Sequence, residues 1–378
     1  GCLYIGAIMS TLPFTRPSLG EEEFSAVQEV LQSGWITSGP RVVELEKELA
    51  AYIGNGVDVR LFNSATAAME AILIAKDIGP GDEVIVPAMS FVASANVVVR
   101  TGATPVFVDV GLKSRNIDAD TVRSAITDKT RVIMPVHFAG MPVDMSPIYE
   151  LAAEKDLLVL EDAAQAIGTH YQGRQIGSSG NPVSFSFHPN KNMTTIEGGA
   201  VASNNPELIK QLESLRFHGI SRNEEGEMQV DAWGGKMNLP DVNATIGLAQ
   251  LKKLDGFNAK RRLLAEHYFK HMPRHPALVL PADAAGHSWH MFCICLDFTS
   301  LGLSRDDILE IFKAQDILLG MHYPAMHLFG LYRQLGYDRG DFPNAEQIGD
   351  QTFTLPLFPA MTNADVERVV AVFNQLLA

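Results

Sequence analysis

The run Val183-Ser184-Phe185-Ser186-Phe187-His188 alternates apolar and polar residues, and this period of two predicts a strand that the Pro189-Asn190 pair then stops. Lys191 is thereby presented at a strand end, just ahead of a polar turn and the pair Gly198-Gly199. Apolar runs at 58–62, 84–87, 104–110, 131–137 and 157–160 predict further strands, buried on both faces. The last of these ends directly in Glu161-Asp162, which puts the acids at the C-terminal end of an inner parallel strand, where such sheets open onto their ligands. Helical spacing and end signals predict helices between the strands. One starts at Glu21 and closes at Gly34, a second covers 41–53, and a third opens at Asn63-Ser64-Ala65-Thr66 and runs to about residue 76. Others cover 144–155 and 206–216, and a long helix after Asp241 continues to about Tyr268. The polar stretch through Gly226 reads as mobile. Towards the C-terminus come a strand at 289–297, a helix at 304–314 capped by Ser304, and a last helix capped by Thr362 with Asp365 at the third position.

This alternation predicts an α/β fold: a three-layer large domain with a mainly parallel sheet over 12–250, and a smaller α+β domain over 251–378. The chain is 46% hydrophobic and 20% charged, which suits a soluble globular protein, and no apolar run is long enough to span a bilayer. A net charge of -14 without a Lys/Arg cluster argues against a nucleic-acid partner. The cysteines are Cys2, Cys293 and Cys295. The last two alternate within one strand and are expected on opposite faces, so neither a disulfide nor a metal site is predicted, and a reducing cytoplasm fits best. Residues 1–8 lack a basic region and a long apolar core, so no signal peptide is expected, and Met9 reads as a natural start.

Lys191 carries the candidate chemistry. A lysine at a strand end is most often a solvated charge. Between an apolar strand and a Gly198-Gly199 turn, however, an amine can be held desolvated with a lowered pKa, as a covalent catalyst requires. Asp162 has a similar double reading, as a cap or ion-pair partner and as a functional carboxylate at a strand end. Ser64 reads first as a helix cap, although the same helix start is an anion site. Phe91 reads equally as core, and His322 and His327 read first as structural histidines.

The run SFSFHPNKNMTTIEGGA, with EDAAQA at 161–166, NSATAA at 63–68 and GWITSGP at 34–40, resembles the DegT/DnrJ/EryC1/StrS sugar aminotransferases, and the resemblance extends from Leu12 to the C-terminus. It implies the type I (aspartate aminotransferase-like) fold, pyridoxal 5'-phosphate as cofactor, and a homodimer with its active sites at the interface. It makes Lys191 the amine that holds the cofactor and moves the proton, and Asp162 the acid against the ring nitrogen. Ala65, standing where the family has glycine, and Thr66 would hold the phosphate, with Ser186 beside them. Phe91 would stack on the ring, Gln165 would bond near its 3-oxygen, and Asn238 would reach across to the neighbour's phosphate. Thr37, His188, His322 and His327 would face substrate, His327 ahead of His322. Glutamate is the implied donor and a nucleotide-linked sugar the acceptor. The segments PFTRPSLG, SWHMF and LPLFPAMT resemble members that aminate C4 and favour a UDP-4-keto-pentose, although Phe91 and Gln165 stand where those members have Trp and His. A 4-keto-6-deoxyhexose acceptor, and a non-catalytic sensor that binds the cofactor, stay as alternatives. The resemblance implies no metal.

Overall fold

The structure is a computed structural model and describes residues 11–378. The expectations for residues 1–8, Met9 and Cys2 lie outside the described residues.

The apolar runs assemble side by side into one large sheet. Its order is Asp58–Phe62, Gly199–Ser203, Val183–Ser186, the Leu158–Val159 and Glu161–Asp162 run, Thr130–Ile133, Glu83–Pro87 and Thr104–Val108. The two halves meet at Asp162, whose N–H donates to the Pro135 carbonyl (2.9 Å) and whose carbonyl accepts from His137 N–H (3.0 Å). Only Gly199–Ser203 runs antiparallel to its neighbours; the other pairings are parallel. Helices cover both faces, and the sandwiched side chains form two apolar cores, one on each side of the sheet. A third core lies around the C-terminal sheet of Leu278–Val279, Phe292–Leu296 and Thr352–Leu355, with the helices Leu254–His271 and Asn363–Leu376. The chain start belongs to that core: Leu12 is buried there and its N–H and carbonyl bond to Asp316 and Leu318. A division at 250/251 falls close to the Leu251–Leu254 link but leaves Leu12 on the wrong side of it. No helix among the described residues is long and apolar enough to cross a membrane.

Several end signals are realised as read. Gly34 closes its helix at φ 74°, and Ser304 and Thr362 each form a reciprocal capping box, with Asp307 and Asp365. Elsewhere local chemistry departs from the expectation. The strand over 131–137 stops at Ile133, because Pro135 has no N–H to continue the ladder. The stretch through Gly226 is a hairpin of Ile220–Arg222 with Met228–Val230, its turn closed by Asn223 and by Gly226 at φ 83°. The long helix is two, Asp241–Leu251 and Leu254–His271, broken where Lys253 turns its amine onto Glu23 (2.7 Å). The strand over 289–297 starts only at Phe292, since Ser288 and His290 first bond to the Gly140 and Ala139 carbonyls. Cys293 and Cys295, being two apart on a strand, share one face instead of opposing each other; both are buried, unoxidised and part of the same core.

The loop Gly34–Pro40 is fastened from a distance. Asp241, buried at the start of its own helix, accepts from Gly39 N–H (2.8 Å), Val42 N–H (3.0 Å) and Arg41 N–H (3.1 Å). It thus caps the helix Pro40–Ile53, whose N-cap Gly39 has no side chain to do so. Leaving those amides unpaired costs about 1–3 kcal/mol. Asp241→Ala is therefore expected to lower unfolding stability by about 2–3 kcal/mol in urea titration, and Asp241→Asn, which keeps one acceptor oxygen, by less. An unmoved midpoint for the alanine variant would remove this cap from the account.

Candidate active site

The C-terminal ends of the central strands open into a cavity of about 390 Å³. Its floor is Asp162. The preceding apolar run buries this carboxylate at the junction of the two half-sheets, where Ser94 Oγ–H donates to Oδ2 (2.7 Å) and Ala164 N–H to Oδ1 (3.0 Å). Burial pushes its pKa up, and those two donors together with the charge of Lys191 pull it back down. The acid is thus left short of a cation.

Lys191 closes the turn after Val183–Ser186, its N–H bonded to the His188 carbonyl (2.9 Å). The side chain enters the cavity, and among the described residues its amine makes no hydrogen bond or ion pair. Burial lowers its pKa to about 8, against the pull of the Asp162 charge. The turn itself is pinned by Thr194 Oγ–H and Thr195 N–H on the Phe187 carbonyl (both 2.9 Å).

The side wall is the start of the helix Ala65–Ala75. Ser64 caps it by accepting from Ala67 N–H (3.1 Å), which leaves the amides of Ala65 and Thr66 without an intrahelical partner at the positive end of the helix. Both residues line the cavity. The lysine strand's neighbour comes very close here: a Cβ on Gly199 would stand 2.3 Å from the Ala65 nitrogen, so only glycine allows the approach. Ser64 thus serves as the helix cap, and the amides of Ala65 and Thr66 that follow it stay free to meet an anion.

Phe91, Gln165, Ser186, His188 and His322 also line the cavity. Phe91 is 52% exposed and is not core. Gln165 Oε1 accepts from Ala139 N–H (2.6 Å), which directs Nε2 at the Tyr323 hydroxyl (3.4 Å). His188 stands at the mouth with Nδ1 on Asn190 (2.9 Å) and Nε2 3.9 Å from Glu197. His322 bonds through Nδ1 to Thr354 Oγ (2.6 Å), and burial, with the Lys191 and Arg115 charges, drops its pKa to about 4.

Three expected residues lie elsewhere. His327 is fully buried, with Nε2 on Glu346 (3.0 Å), because the 3-10 turn Met326–Leu328 rolls it into the core; it is a structural histidine and does not face the cavity. Asn238 and Thr37 are brought together, since Asn238 Nδ2–H donates to Ser38 Oγ (2.6 Å) and the Thr37 carbonyl accepts from Asp241 N–H (3.2 Å), but neither lines the cavity of its own chain. Sequence reading passed over Ser94, Tyr323 and Glu197. Tyr323 and Glu197 each adjoin or sit within a motif already singled out, so proximity was the available signal; Ser94 had none, because its partner Asp162 is distant in the chain. No group of His, Cys, Asp and Glu among the described residues could hold a metal ion.

Comparison with known proteins finds a match to the model of the DegT/DnrJ/EryC1/StrS aminotransferase family over residues 17–374. Among solved structures, the sugar aminotransferase Spr1654 of Streptococcus pneumoniae in its PLP-form has a TM-score of 0.89 at 31% identity, covering 97% of this chain and 100% of that one. DesV of S. venezuelae has a TM-score of 0.88 at 34% identity, covering 94% and 95%. PseC of Helicobacter pylori, an aminotransferase involved in the biosynthesis of pseudoaminic acid, has a TM-score of 0.90 at 28% identity, covering 97% and 99%.

A neutral amine is the nucleophile, so the lowered lysine value has a kinetic signature. Capture of added pyridoxal phosphate by the apoprotein is expected to accelerate as pH rises and to level off above about 8, where Lys191 is deprotonated. A rate that kept climbing towards the ordinary lysine value of 10.5 would show the amine to be solvated.

Proposed function

Because this chain belongs to the DegT/DnrJ/EryC1/StrS aminotransferase family, we propose that it moves an amino group from glutamate to the C4 keto group of a nucleotide-linked sugar, with a UDP-4-keto-pentose as acceptor and UDP-4-amino-4-deoxy-L-arabinose as product. The broader activity follows from the family and its solved members: the chain is a pyridoxal-phosphate-dependent sugar aminotransferase of the type I fold. The observation that carries the reading is the pairing, in one cavity, of an amine of lowered pKa, without a hydrogen bond or ion pair among the described residues, with a buried acid.

The residues present fit the cofactor. The helix start at Ala65 and Thr66 offers free amides to a phosphate, the Gly199 approach keeps that cradle open, and Asp162 lies where a ring nitrogen would meet it. When bound, pyridoxal phosphate supplies an electron sink that acidifies the C–H bond beside the transferred nitrogen. Asp162 would favour a protonated ring nitrogen, and that cation would in turn offset the desolvation of the buried carboxylate. Lys191 would hold the cofactor, and its Nζ, when free, would be placed to take up and return the proton of the acidified C–H bond. A value near 8 suits both directions of that transfer. Phe91 and Ser186 fix the ring and phosphate, and Gln165 orients the 3-oxygen side. His188 and His322 meet the sugar.

A homodimer completes the site. Within one chain the cavity is lined by no cation except Lys191 among the described residues, whereas the donor carboxylates and the nucleotide diphosphate need several. Asn238 and Thr37 do not line the cavity of their own chain, and their loops are tied together through Ser38 and Asp241, which suits delivery to a second copy. On this reading the chain up to about 250 holds the cofactor, apart from Leu12, which packs with 251–378, and the protein works in the cytoplasm.

Two experiments test the reading. Glutamate added to the purified holoenzyme is expected to convert the cofactor to its amino form, followed by absorbance, and UDP-4-keto-pentose to reverse it. Reversal by dTDP-4-keto-6-deoxyglucose alone would make the acceptor a hexose; no change with glutamate would leave a cofactor-binding sensor. In single turnover, Asp162→Asn is expected to retain bound cofactor but slow proton transfer by roughly a hundredfold or more, since the ring nitrogen loses its charged partner. An unchanged rate would show Asp162 to be structural.

A further inference from the structure

Arg115 is a cation buried without an anion. It is 3% exposed, on the loop that follows the edge strand Thr104–Val108, and its backbone is left-handed at φ 59°. Nη1–H donates to the His322 carbonyl (3.0 Å) and to Thr352 Oγ (2.9 Å). Nη2–H donates to the Ile294 carbonyl (3.0 Å) and reaches Cys295 Sγ at 3.5 Å, and the guanidinium lies 5.7 Å from the centre of the Phe138 ring. Every one of these partners is neutral. A buried charge held only by dipoles is costly and is kept only where its geometry is needed.

That geometry joins the cavity wall to the C-terminal sheet. Ile294, Cys295 and Thr352 belong to the sheet, and His322 enters the cavity together with Tyr323. Thr352 Oγ–H donates to the same His322 carbonyl (3.2 Å), so guanidinium and hydroxyl grip one oxygen. The next residue, Asn116, accepts from Phe138 N–H and donates to the Met141 carbonyl (both 3.1 Å), and between these lies Ala139, whose amide seats Gln165. A single loop thus sets two parts of the cavity.

We infer that Arg115 is a positioning residue that clamps the His322–Tyr323 wall against the C-terminal sheet and thereby sets the substrate side of the cavity. Only a planar fork reaches acceptors in such divergent directions; a lysine offers one point charge. The clamp stands on geometry alone, while giving that wall a substrate rests on the aminotransferase reading.

Hydrogen exchange tests the clamp directly. In Arg115→Met, amides of 320–326 are expected to exchange at least roughly tenfold faster than in the wild-type holoenzyme, with Thr104–Val108 unchanged. Equal protection of 320–326 would overturn the inference. Its effect on substrate is read by a mutant cycle in the half-reaction of the amino-form enzyme with the sugar acceptor, UDP-4-keto-pentose. Arg115→Met is expected to raise KM by roughly tenfold, and by less than roughly twofold in a His322→Ala, Tyr323→Phe background, where the wall is already gone. Equal rises in both backgrounds would reduce Arg115 to general stability and overturn it. Should Arg115→Met not fold, Arg115→Lys, which keeps the charge but not the fork, is expected to speed exchange over 320–326 in the same sense, and its failure to do so counts against the clamp equally. A wild type inert to glutamate would sink the aminotransferase reading and leave the exchange result to decide the clamp.

Discussion

A carboxylate and an amine share one cavity here, and neither is neutralised. Burial works in opposite directions on the two, raising Asp162 and lowering Lys191, while the charge of each draws the other towards ionisation. Such a pair is poor as a structural ion bridge, since its members do not touch and the desolvation cost is not returned. It is well suited to receive a ligand that brings a cation to the acid and a carbonyl to the amine. The surrounding fold supplies what holds the two in place: Asp162 at the bond that joins two half-sheets, and Lys191 on a turn pinned by threonines.

The rest of the site follows from where parallel strands end. The helix start at Ala65, the short helix carrying Ser94, and the turn with Lys191 all follow strands whose C-terminal ends reach the same edge. Gly199 belongs to the only antiparallel strand of the large sheet and comes close to the helix start. Reversal of one strand is thus what brings backbone, in place of a side chain, up to the start of that helix.

Much of this was legible because it is local. The strand run ending in Asp162, the turn of Lys191, and the caps at Ser304 and Thr362 each depend on neighbours within a few positions, and the structure realises them. What could not be read depends on partners far along the chain. Ser94 meets Asp162, Tyr323 meets Gln165, and Arg115 meets the His322 carbonyl, and no spacing rule links such pairs. The choice between His322 and His327 failed for the same reason. Both lie in one polar loop, and only Glu346 in a later helix takes His327 away from the cavity. The Cys293 and Cys295 error was different in kind: two residues apart on a strand means one face, and this was available from the sequence.

The wall that remains, His322 with Tyr323 beside Phe91, has a definite chemical character. His322 is held neutral by burial and by nearby cations, and burial pushes the Tyr323 hydroxyl up, so it too stays uncharged. Phe91 and Tyr323 lean on one another with ring centres 5.6 Å apart. Such a surface offers apolar faces and neutral donors and acceptors, which matches a sugar ring and its hydroxyls and gives no anchor to phosphate. The charge that a nucleotide diphosphate requires must then come from outside this wall. Among the described residues, Lys191 is the only Lys or Arg lining the cavity, so on the proposed dimer reading the wall would read the sugar and the nucleotide would meet cations brought from outside it.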